Sequence, residues 1–197
     1  RGQMASASLK GNFYAIGGFG LNSVEVYDPS SQSWSAGVSL PSETHYARAI
    51  TIGGKIYLIG GKNSSDQNIN QVICFDPSSN QWSSKASMPT ARDGMWLQSY
   101  NDRIWAIGGY SNGDQSDVVE SYDPISDTWQ TETSLSTKRN WAVGWVDKGK
   151  IYVGGGRRDG SSSYLDSIEA YDSSTKQWAI VGNLPEKAYF ADSVVLN

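Results

Sequence analysis

The feature that most constrains this chain is a sequence unit that recurs four times. Each unit has an apolar segment ending in two glycines, then an aromatic–Asp pair, then a tryptophan six residues after the Asp. The aspartates are spaced by 48, 47 and 49 residues, and the tryptophans keep the same spacing. A repeat of this length predicts a modular fold in which each unit packs on its neighbours. The repeated residues are Asp28, Asp76, Asp123 and Asp172, followed by Trp34, Trp82, Trp129 and Trp178.

Each unit predicts four short β-strands. Apolar runs rich in Ile, Val, Tyr and Trp are separated by Gly, Asn, Asp, Ser and Pro, and no stretch sustains a helical period. In the second unit, the predicted strands a to d cover residues 47–52, 55–60, 70–76 and 80–85. The 21 glycines and the 18% of charged residues suit a turn-rich β-protein. Four strands in a unit of this size are typical of one blade of a β-propeller.

The order of glycine doublet, Tyr-Asp-Pro, tryptophan and Leu-Pro-x-x-Arg resembles the kelch repeat over almost the whole chain. Ser136 and Ser173 stand where the repeat has proline, and only two units keep its arginine. The resemblance implies an all-β kelch β-propeller, which we expect to have four blades of four antiparallel strands in a single domain. The predicted units cover approximately residues 12–38 plus 189–197, 41–86, 89–133 and 136–182.

Two segments compete for strand a of the first blade. We expect residues 189–197 to complete that blade and close the ring, because Val194 and Val195 suit a strand better than the Ala and Ser of residues 4–9. Kelch propellers commonly have six blades, so the alternative is a fragment of a larger propeller. A closed ring predicts a monomer. An open fragment would expose a sheet edge and apolar blade faces, and it predicts an oligomer.

Function is expected in the d–a and b–c loops, which carry the partner-binding residues in the kelch adaptors that this chain resembles. Arg92 and Arg139 are candidates, because guanidinium groups bind carboxylates in a bidentate manner. The alternative for both is a hydrogen bond between blades. Trp96 and Trp145 are expected to fill the central channel. The full set of candidate partner-binding residues is Phe19, His45, Tyr46, Lys62, Arg92, Tyr110, Arg139, Asn140, Trp141, Arg157, Arg158 and Tyr189.

Catalysis and metal binding have little support in the sequence. The chain has one histidine, His45, and one cysteine, Cys74, so neither a disulfide nor a cluster of His and Cys ligands can form within it. The Glu-x-x-x-Asp-x-x-x-His element of plant specifier kelch proteins is absent, since Gly37 and Pro41 precede His45 at those positions. Acid–base chemistry, as in kelch-like epimerases, would depend on the few titratable loop residues His45, Arg48, Asp93 and Asp192. We therefore expect no enzyme, no cofactor and no metal.

Charge and hydropathy limit the partners. The net charge of −4 includes no basic stripe, which argues against nucleic acid, and no apolar run reaches the length of a membrane span. We expect a cytoplasmic interaction scaffold that binds a peptide or protein. By resemblance it could be the substrate-recognition module of a BTB–BACK–kelch or F-box–kelch ubiquitin ligase adaptor, although this sequence carries no BTB, BACK or F-box segment. The alternatives are a carbohydrate or small-molecule site at the channel mouth, and a minimal or engineered propeller without a partner.

Overall fold

The computed structural model describes residues 2–158 and 163–189, which fall into two compact units, Arg1–Asp93 and Gly94–Asn197. Each unit contains two four-stranded antiparallel sheets, as the repeat predicts. No helix in the described part of the chain is long and apolar enough to cross a bilayer.

The first unit contains strands β1 to β8. Within each of its two sheets, the strands follow one another in chain order, so each strand pairs with the next. This all-antiparallel meander confirms the predicted a–b–c–d pattern. The first sheet consists of β1 (Ala5–Leu9), β2 (Asn12–Ile16), β3 (Val24–Asp28) and β4 (Ser33–Ala36). The second consists of β5 (Arg48–Ile52), β6 (Lys55–Ile59), β7 (Val72–Asp76) and β8 (Gln81–Ser84).

The second unit contains strands β9 to β18. The two sheets of this unit are the third and fourth of the chain. The third sheet also carries a small hairpin, β11–β12, in the loop between its strands β10 and β13. The third sheet consists of β9 (Trp96–Tyr100), β10 (Arg103–Ile107), β13 (Val119–Asp123) and β14 (Thr128–Thr131), and its hairpin of β11 (Tyr110–Ser111) and β12 (Asp114–Gln115). The fourth sheet consists of β15 (Val143–Asp147), β16 (Lys150–Gly154), β17 (Ser167–Asp172) and β18 (Gln177–Asn183).

Strand a of the first sheet corrects the prediction from sequence. The position beside β2 belongs to Ala5–Leu9, which pairs with it over five residues, and not to residues 189–197. Ala5 and Leu9 are buried in the core between the first two sheets. Strand propensity therefore predicted the wrong segment for strand a of the first sheet, because packing against the core determines which segment pairs with β2. Residues 190–197 lie outside the described residues.

The repeated aspartates begin the turns between the third and fourth strands of each sheet. The carboxylate of Asp28 accepts hydrogen bonds from both the backbone N–H and the hydroxyl of Ser30, at 2.8 and 2.7 Å. These bonds lower the pKa of Asp28, with the bond from the Ser30 hydroxyl as the largest cause. The same bond to the backbone two residues on recurs at Asp76, Asp123 and Asp172. The turns are therefore specified locally by an Asx motif.

The glycine doublets let loops approach the sheets closely. Gly108 has a positive φ of 63°, and a Cβ atom built on it would lie 2.5 Å from the carbonyl oxygen of Arg139. Only glycine fits both the backbone conformation and the space. The doublet thus places the d–a loop directly against the end of the second strand.

Candidate interaction site

In the first unit, the b–c and d–a loops are fixed to one another by backbone hydrogen bonds. Gly18 N–H donates to the carbonyl of Thr44 at 2.9 Å. His45 and Lys62 exchange two backbone hydrogen bonds, of 3.1 and 2.8 Å, in an isolated bridge. Tyr46 N–H donates to the carbonyl of Gln3 at 2.9 Å. These loops are therefore held in place by the scaffold although they contain no strand of their own.

Five side chains of these loops form what we name the Phe19 cluster: Phe19, His45, Tyr46, Lys62 and Asp66. The imidazole of His45 packs between two rings, with centroid distances of 5.2 Å to Phe19 and 5.4 Å to Tyr46. Its Nε2 lies 3.1 Å from Oδ1 of Asp66, and Nζ of Lys62 lies 3.2 Å from Oδ2 of the same carboxylate. The Lys62 ammonium also lies 5.9 Å from the centre of the Tyr46 ring. The cluster combines aromatic surface with a cation and an anion.

Exposure differs sharply within the Phe19 cluster. Phe19 is 68% exposed although it is apolar, whereas His45 beneath it is 4% exposed. The side chain of Asp66 is 67% exposed and that of Lys62 is 17% exposed. The hydrogen bond from His45, followed by that from Lys62, lowers the pKa of Asp66. The cluster thus presents an apolar ring and an ionised carboxylate to solvent on a rigid base.

A second polar pair lies in the same loops. Asn68 donates through Nδ2 to Oδ2 of Asp93 at 2.8 Å, and Asp93 is 3% exposed. Burial raises the pKa of Asp93, and the hydrogen bond from Asn68 acts in the opposite direction. A buried carboxylate with a raised pKa destabilises the folded state once it ionises.

Replacing the Asp93 carboxylate should therefore stabilise the protein at neutral pH. The folded pKa lies above the ordinary value of 3.8, so the charged form costs stability as the pH rises through the folded pKa. We expect Asp93→Asn to raise the free energy of unfolding at pH 7. The gain should shrink as the pH falls and vanish well below pH 3.8, where the Asp93 carboxyl is neutral in the folded and the unfolded state. Urea unfolding at a series of pH values measures this.

Asp66→Asn is the matched control for that series. The pKa of Asp66 is lowered, so its carboxylate stabilises the folded state, and that contribution is lost as the pH falls. The two variants should change the pH dependence of stability in opposite directions. An Asp93→Asn variant that is less stable than wild type at pH 7 would show that its charge is needed in the fold.

Arg139, in the second unit, is an interior residue. It is 1% exposed, and its guanidinium donates to Oε1 of Glu169 at 2.7 Å. It also donates to the carbonyls of Gly155 and Ser167, at 2.9 and 3.0 Å. Glu169 accepts two further bonds from the backbone N–H groups of Ser136 and Thr137, at 2.7 and 3.1 Å. The pair ties the d–a loop to the fourth sheet.

Both arginines of the repeat motif are buried. Arg92 is 0% exposed in the first unit, and Arg139 is 1% exposed in the second. Burial of both guanidinium groups favours the alternative of an internal hydrogen bond, and their role as partner-binding residues stays a prediction. For Arg139 the structure shows the alternative reading, hydrogen bonds that join two sheets.

The other candidates of the second unit lie nearer its surface, with the exception of Asn140. The ring of Trp141 covers Gly94, where a Cβ atom would lie 2.9 Å from Cε2 of the indole. Asn140 is buried and exchanges two backbone bonds with Arg157, of 3.1 and 2.9 Å. The ring of Tyr189 is stacked on Tyr164 at a centroid distance of 4.2 Å. The residues at least partly exposed are Tyr110, Trp141, Arg157, Arg158 and Tyr189.

The two tryptophans expected to fill a channel pack against their own unit. Nε1 of Trp96 would lie 2.5 Å from a Cβ atom on Gly144, so this ring lies directly on the backbone of β15. Trp145 stacks on Tyr152 with a centroid distance of 5.3 Å and an interplanar angle of 4°.

Sequence reasoning missed three polar partners of the loop residues, Asp66, Asn68 and Glu169, whose own partners lie 21 to 30 residues away. Asp66 and Asn68 fall at no repeated motif position. Glu169 stands three residues before Asp172, as Glu25 and Glu120 stand before Asp28 and Asp123, and this repeat was the signal that could have found it. Among residues 2–158 and 163–189, no group of three or more His, Cys, Asp or Glu is placed to hold a metal ion.

Comparison with known proteins decides the family. The profile of the KLHDC2/KLHL20/DRC7 Kelch-repeats domain matches residues 3–195, almost the entire chain. The chain belongs to this kelch-repeat family. The resemblance inferred from the glycine doublets, aspartates and tryptophans is thereby confirmed.

Curated kelch relatives match over shorter segments. Kelch-like protein 35 of Homo sapiens is 38% identical over 66 residues, which is 32% of this chain and 11% of that protein. Kelch-like protein 23 of Mus musculus is 37% identical over 71 residues, which is 36% of this chain and 13% of that protein. The matched kelch segment thus spans only about a tenth of these relatives.

A solved structure shares the fold. The structure of YjhT superposes with a TM-score of 0.84 at 20% sequence identity, covering 96% of this kelch chain and 73% of that chain. At this identity the likeness shows the fold alone.

Proposed function

We propose that this kelch domain is a protein-interaction module whose b–c and d–a loops bind a peptide or protein segment. The observation that carries the proposal is Phe19, an apolar ring that is 68% exposed on rigid loops. Exposed aromatic residues ringed by polar groups are typical of interface hot spots. The neighbours of Phe19 supply that polar rim through Lys62 and Asp66.

The geometry of the Phe19 cluster favours a partner with an apolar side chain. Phe19 packs on His45 at an interplanar angle of 69° and is 68% exposed, so most of the phenyl ring is available to a partner. The exposed carboxylate of Asp66 can accept a hydrogen bond from a donor next to that side chain. We therefore expect a segment that pairs an aromatic or aliphatic residue with a basic or amide group.

The loops of the second unit support the same function. Tyr110, Trp141 and Tyr189 are partly or mostly exposed there, with the exposed ion pair of Lys138 and Asp114 at 2.7 Å. Aromatic residues of this kind are enriched at protein interfaces, and polar groups are typical of the rim around them.

The proposal is for binding and not for catalysis. The chain has one histidine, and its ring is 4% exposed beneath Phe19 and hydrogen-bonded to Asp66. By resemblance to kelch adaptors, the partner would be a substrate delivered to a ubiquitin ligase. That role belongs to the proposal, since the matched segment spans 11% to 13% of the curated relatives.

A selected peptide tests the proposal. Peptides are selected from a random display library on the wild-type chain, and the dissociation constant of the best peptide is then measured by calorimetry. Truncation of a central aromatic anchor costs about 2 kcal/mol, so we expect Phe19→Ala to weaken binding about thirty-fold. Because Phe19 is exposed, the variant should fold as wild type does.

Ile125→Ala is the matched control. Ile125 is 92% exposed in the turn between β13 and β14, at the end of its sheet opposite to the b–c loop. The substitution Ile125→Ala removes exposed apolar surface, as Phe19→Ala does, but it should leave the affinity for the peptide unchanged. Peptides that bind Phe19→Ala as tightly as wild type, or a failure to select any peptide, would refute the proposed surface.

A further inference from the structure

A cavity of about 150 Å³ lies between the two sheets of the first unit. Tyr14, Val24 and Val26 of the first sheet line one side of it. Phe75 and Trp82 of the second sheet line the other side. Apolar and aromatic side chains thus form most of the wall, and an apolar cavity of roughly this volume accommodates a benzene-sized ligand.

Contacts between the two sheets fix the walls of this cavity. Trp82 donates its indole N–H to the carbonyl of Val38 at 2.9 Å, which ties β8 to the chain that follows β4. The Phe75 ring packs on Trp82 at a centroid distance of 5.3 Å and on Tyr14 at 5.9 Å. Val24 and Phe75 are buried, at 3% and 5% exposure. The cavity is therefore preformed, so a ligand does not have to order it on binding.

The absence of a side chain at Gly37 leaves room over the valines of the cavity. A Cβ atom built on Gly37 would lie 3.0 Å from Cγ1 of Val24 and 3.1 Å from Cγ2 of Val26. The backbone N–H of Gly37 donates to the carbonyl of Val24 at 2.8 Å, and in the second unit Glu132 donates in the same way to Val119 at 2.9 Å. Glu132 therefore holds in the third sheet the position that Gly37 holds in the first.

The second unit carries larger side chains at the positions that match the cavity. Trp105 stands where the first sheet has Tyr14, because the two residues pair with the third strand of their sheets at the same register. Trp105 is 5% exposed and packs on Tyr171 at a centroid distance of 4.9 Å. The carboxylate of Glu132 accepts a hydrogen bond from the hydroxyl of Ser121 at 2.6 Å. An indole and a carboxylate of the chain itself thus take the place that the first unit leaves open.

The lining of the cavity favours an uncharged ligand. Among the residues that the structure describes, none that lines the cavity carries a charge. An ion would lose its hydration there without gaining a partner of opposite charge. Hydroxyl and amide groups beside the apolar wall come from Tyr14, Ser35 and Asn80. An apolar wall with a few polar groups is typical of sites for small molecules.

We propose that this cavity binds a small uncharged aromatic molecule of the phenol class. Its ring takes the place that the indole of Trp105 takes in the second unit, and burial of the ring drives binding. Its hydroxyl exchanges a hydrogen bond with one of the polar side chains that line the cavity. No residue of the Phe19 cluster lines this cavity, so the site is tested independently of peptide binding by the loops.

Titration of the isotope-labelled protein with phenol, followed by NMR, tests the proposal. The signals of the Gly37 backbone N–H and the Trp82 indole N–H should shift saturably, with a dissociation constant of about 1 mM for a ligand of so few atoms. Benzoate carries the same ring with a negative charge. It should bind at least about tenfold more weakly than phenol, because the cavity offers its charge no cation.

Two substitutions introduce the side chains of the second unit into the cavity. Tyr14→Trp and Gly37→Glu should each weaken phenol binding at least about tenfold, because the new side chain and the ligand compete for the same space. Ile125→Glu adds the same charge as Gly37→Glu at an exposed residue that does not line the cavity, and it should bind phenol as wild type does. The NMR spectrum of each variant before titration shows whether it is folded.

Three results would overturn the proposal. The first is that phenol leaves the signals of Gly37 and Trp82 unchanged in the wild-type protein. The second is that folded Tyr14→Trp binds phenol as tightly as wild type, which would place the ligand elsewhere. The third is that benzoate binds as tightly as phenol, which would exclude a site for uncharged molecules.

Discussion

Arg139→Ala should lower the free energy of unfolding by about 3–5 kcal/mol, the usual loss when one partner of a buried ion pair is removed. Arg139 and Glu169 both have 0% side-chain exposure, and their charged atoms lie 2.7 Å apart. Without the guanidinium, the Glu169 carboxylate stays buried beside two backbone N–H donors that favour its charged form. The carbonyls of Gly155 and Ser167 lose a donor as well.

The neighbouring residue provides the control for this prediction. Lys138 pairs with Asp114 at 2.7 Å, but their side chains are 48% and 53% exposed. Exposed ion pairs contribute about 0–1 kcal/mol, so Lys138→Ala should change stability little. Urea unfolding compares the stability of the Arg139→Ala and Lys138→Ala variants, provided that their m-values equal that of wild type. A loss below about 1 kcal/mol for Arg139→Ala would mean that the loop relaxes and lets water reach Glu169.

The double substitution Arg139→Met, Glu169→Met separates charge from packing. Replacing a buried ion pair by apolar residues of similar size is often neutral or stabilising. We therefore expect the double variant to be markedly more stable than Arg139→Ala. If it is as unstable as Arg139→Ala, the hydrogen bonds to Gly155 and Ser167 dominate, and not the unpaired charge.

Trp178→Ala should lower the free energy of unfolding by about 3–5 kcal/mol, as large-to-small changes in a core do. Its ring is 7% exposed, packs on Tyr171 at 5.3 Å and donates to the carbonyl of Thr133. Truncation removes apolar contact and leaves that carbonyl without its donor. Thermal or urea unfolding measures the loss.

Trp34→Ala is the matched variant at the same position of the repeat. Trp34 also packs on a tyrosine at 5.3 Å, but it is 55% exposed. At concentrations where the chain is monomeric, we expect a loss of less than about 1 kcal/mol. Equal losses of unfolding free energy for Trp178→Ala and Trp34→Ala would show that the contact between sheets adds no stability beyond the packing within each sheet.

The sequence predicted those parts of the fold that local chemistry specifies. Aspartates that bond the backbone two residues on, and runs of β-branched and aromatic residues, specify turns and strands without distant contacts. Strand β1 was assigned wrongly because Ala5, Ala7 and Leu9 form it by packing against the core, although alanine has a low strand propensity. Its strand character depends on the core and not on local propensity.

The candidate site was predictable in part. The loops that carry Phe19, His45, Tyr46 and Lys62 follow from the order of the strands, because b–c and d–a connections meet at one end of a sheet. Burial of Arg92 and Arg139 could not be predicted from the arginine of the repeat motif, since it depends on tertiary contacts. For Arg139, the deciding partner, Glu169, lies 30 residues away.

Hydrogen exchange of the domain with and without its selected peptide tests the central claim most directly. If the b–c and d–a loops bind the peptide, exchange should slow at the backbone N–H groups of residues 17–23, 43–46 and 62–68. Exchange in the turn around Ile125 should not change. Protection confined to the turns between third and fourth strands would contradict the claim, because it would place the partner at the opposite end of the sheets from Phe19.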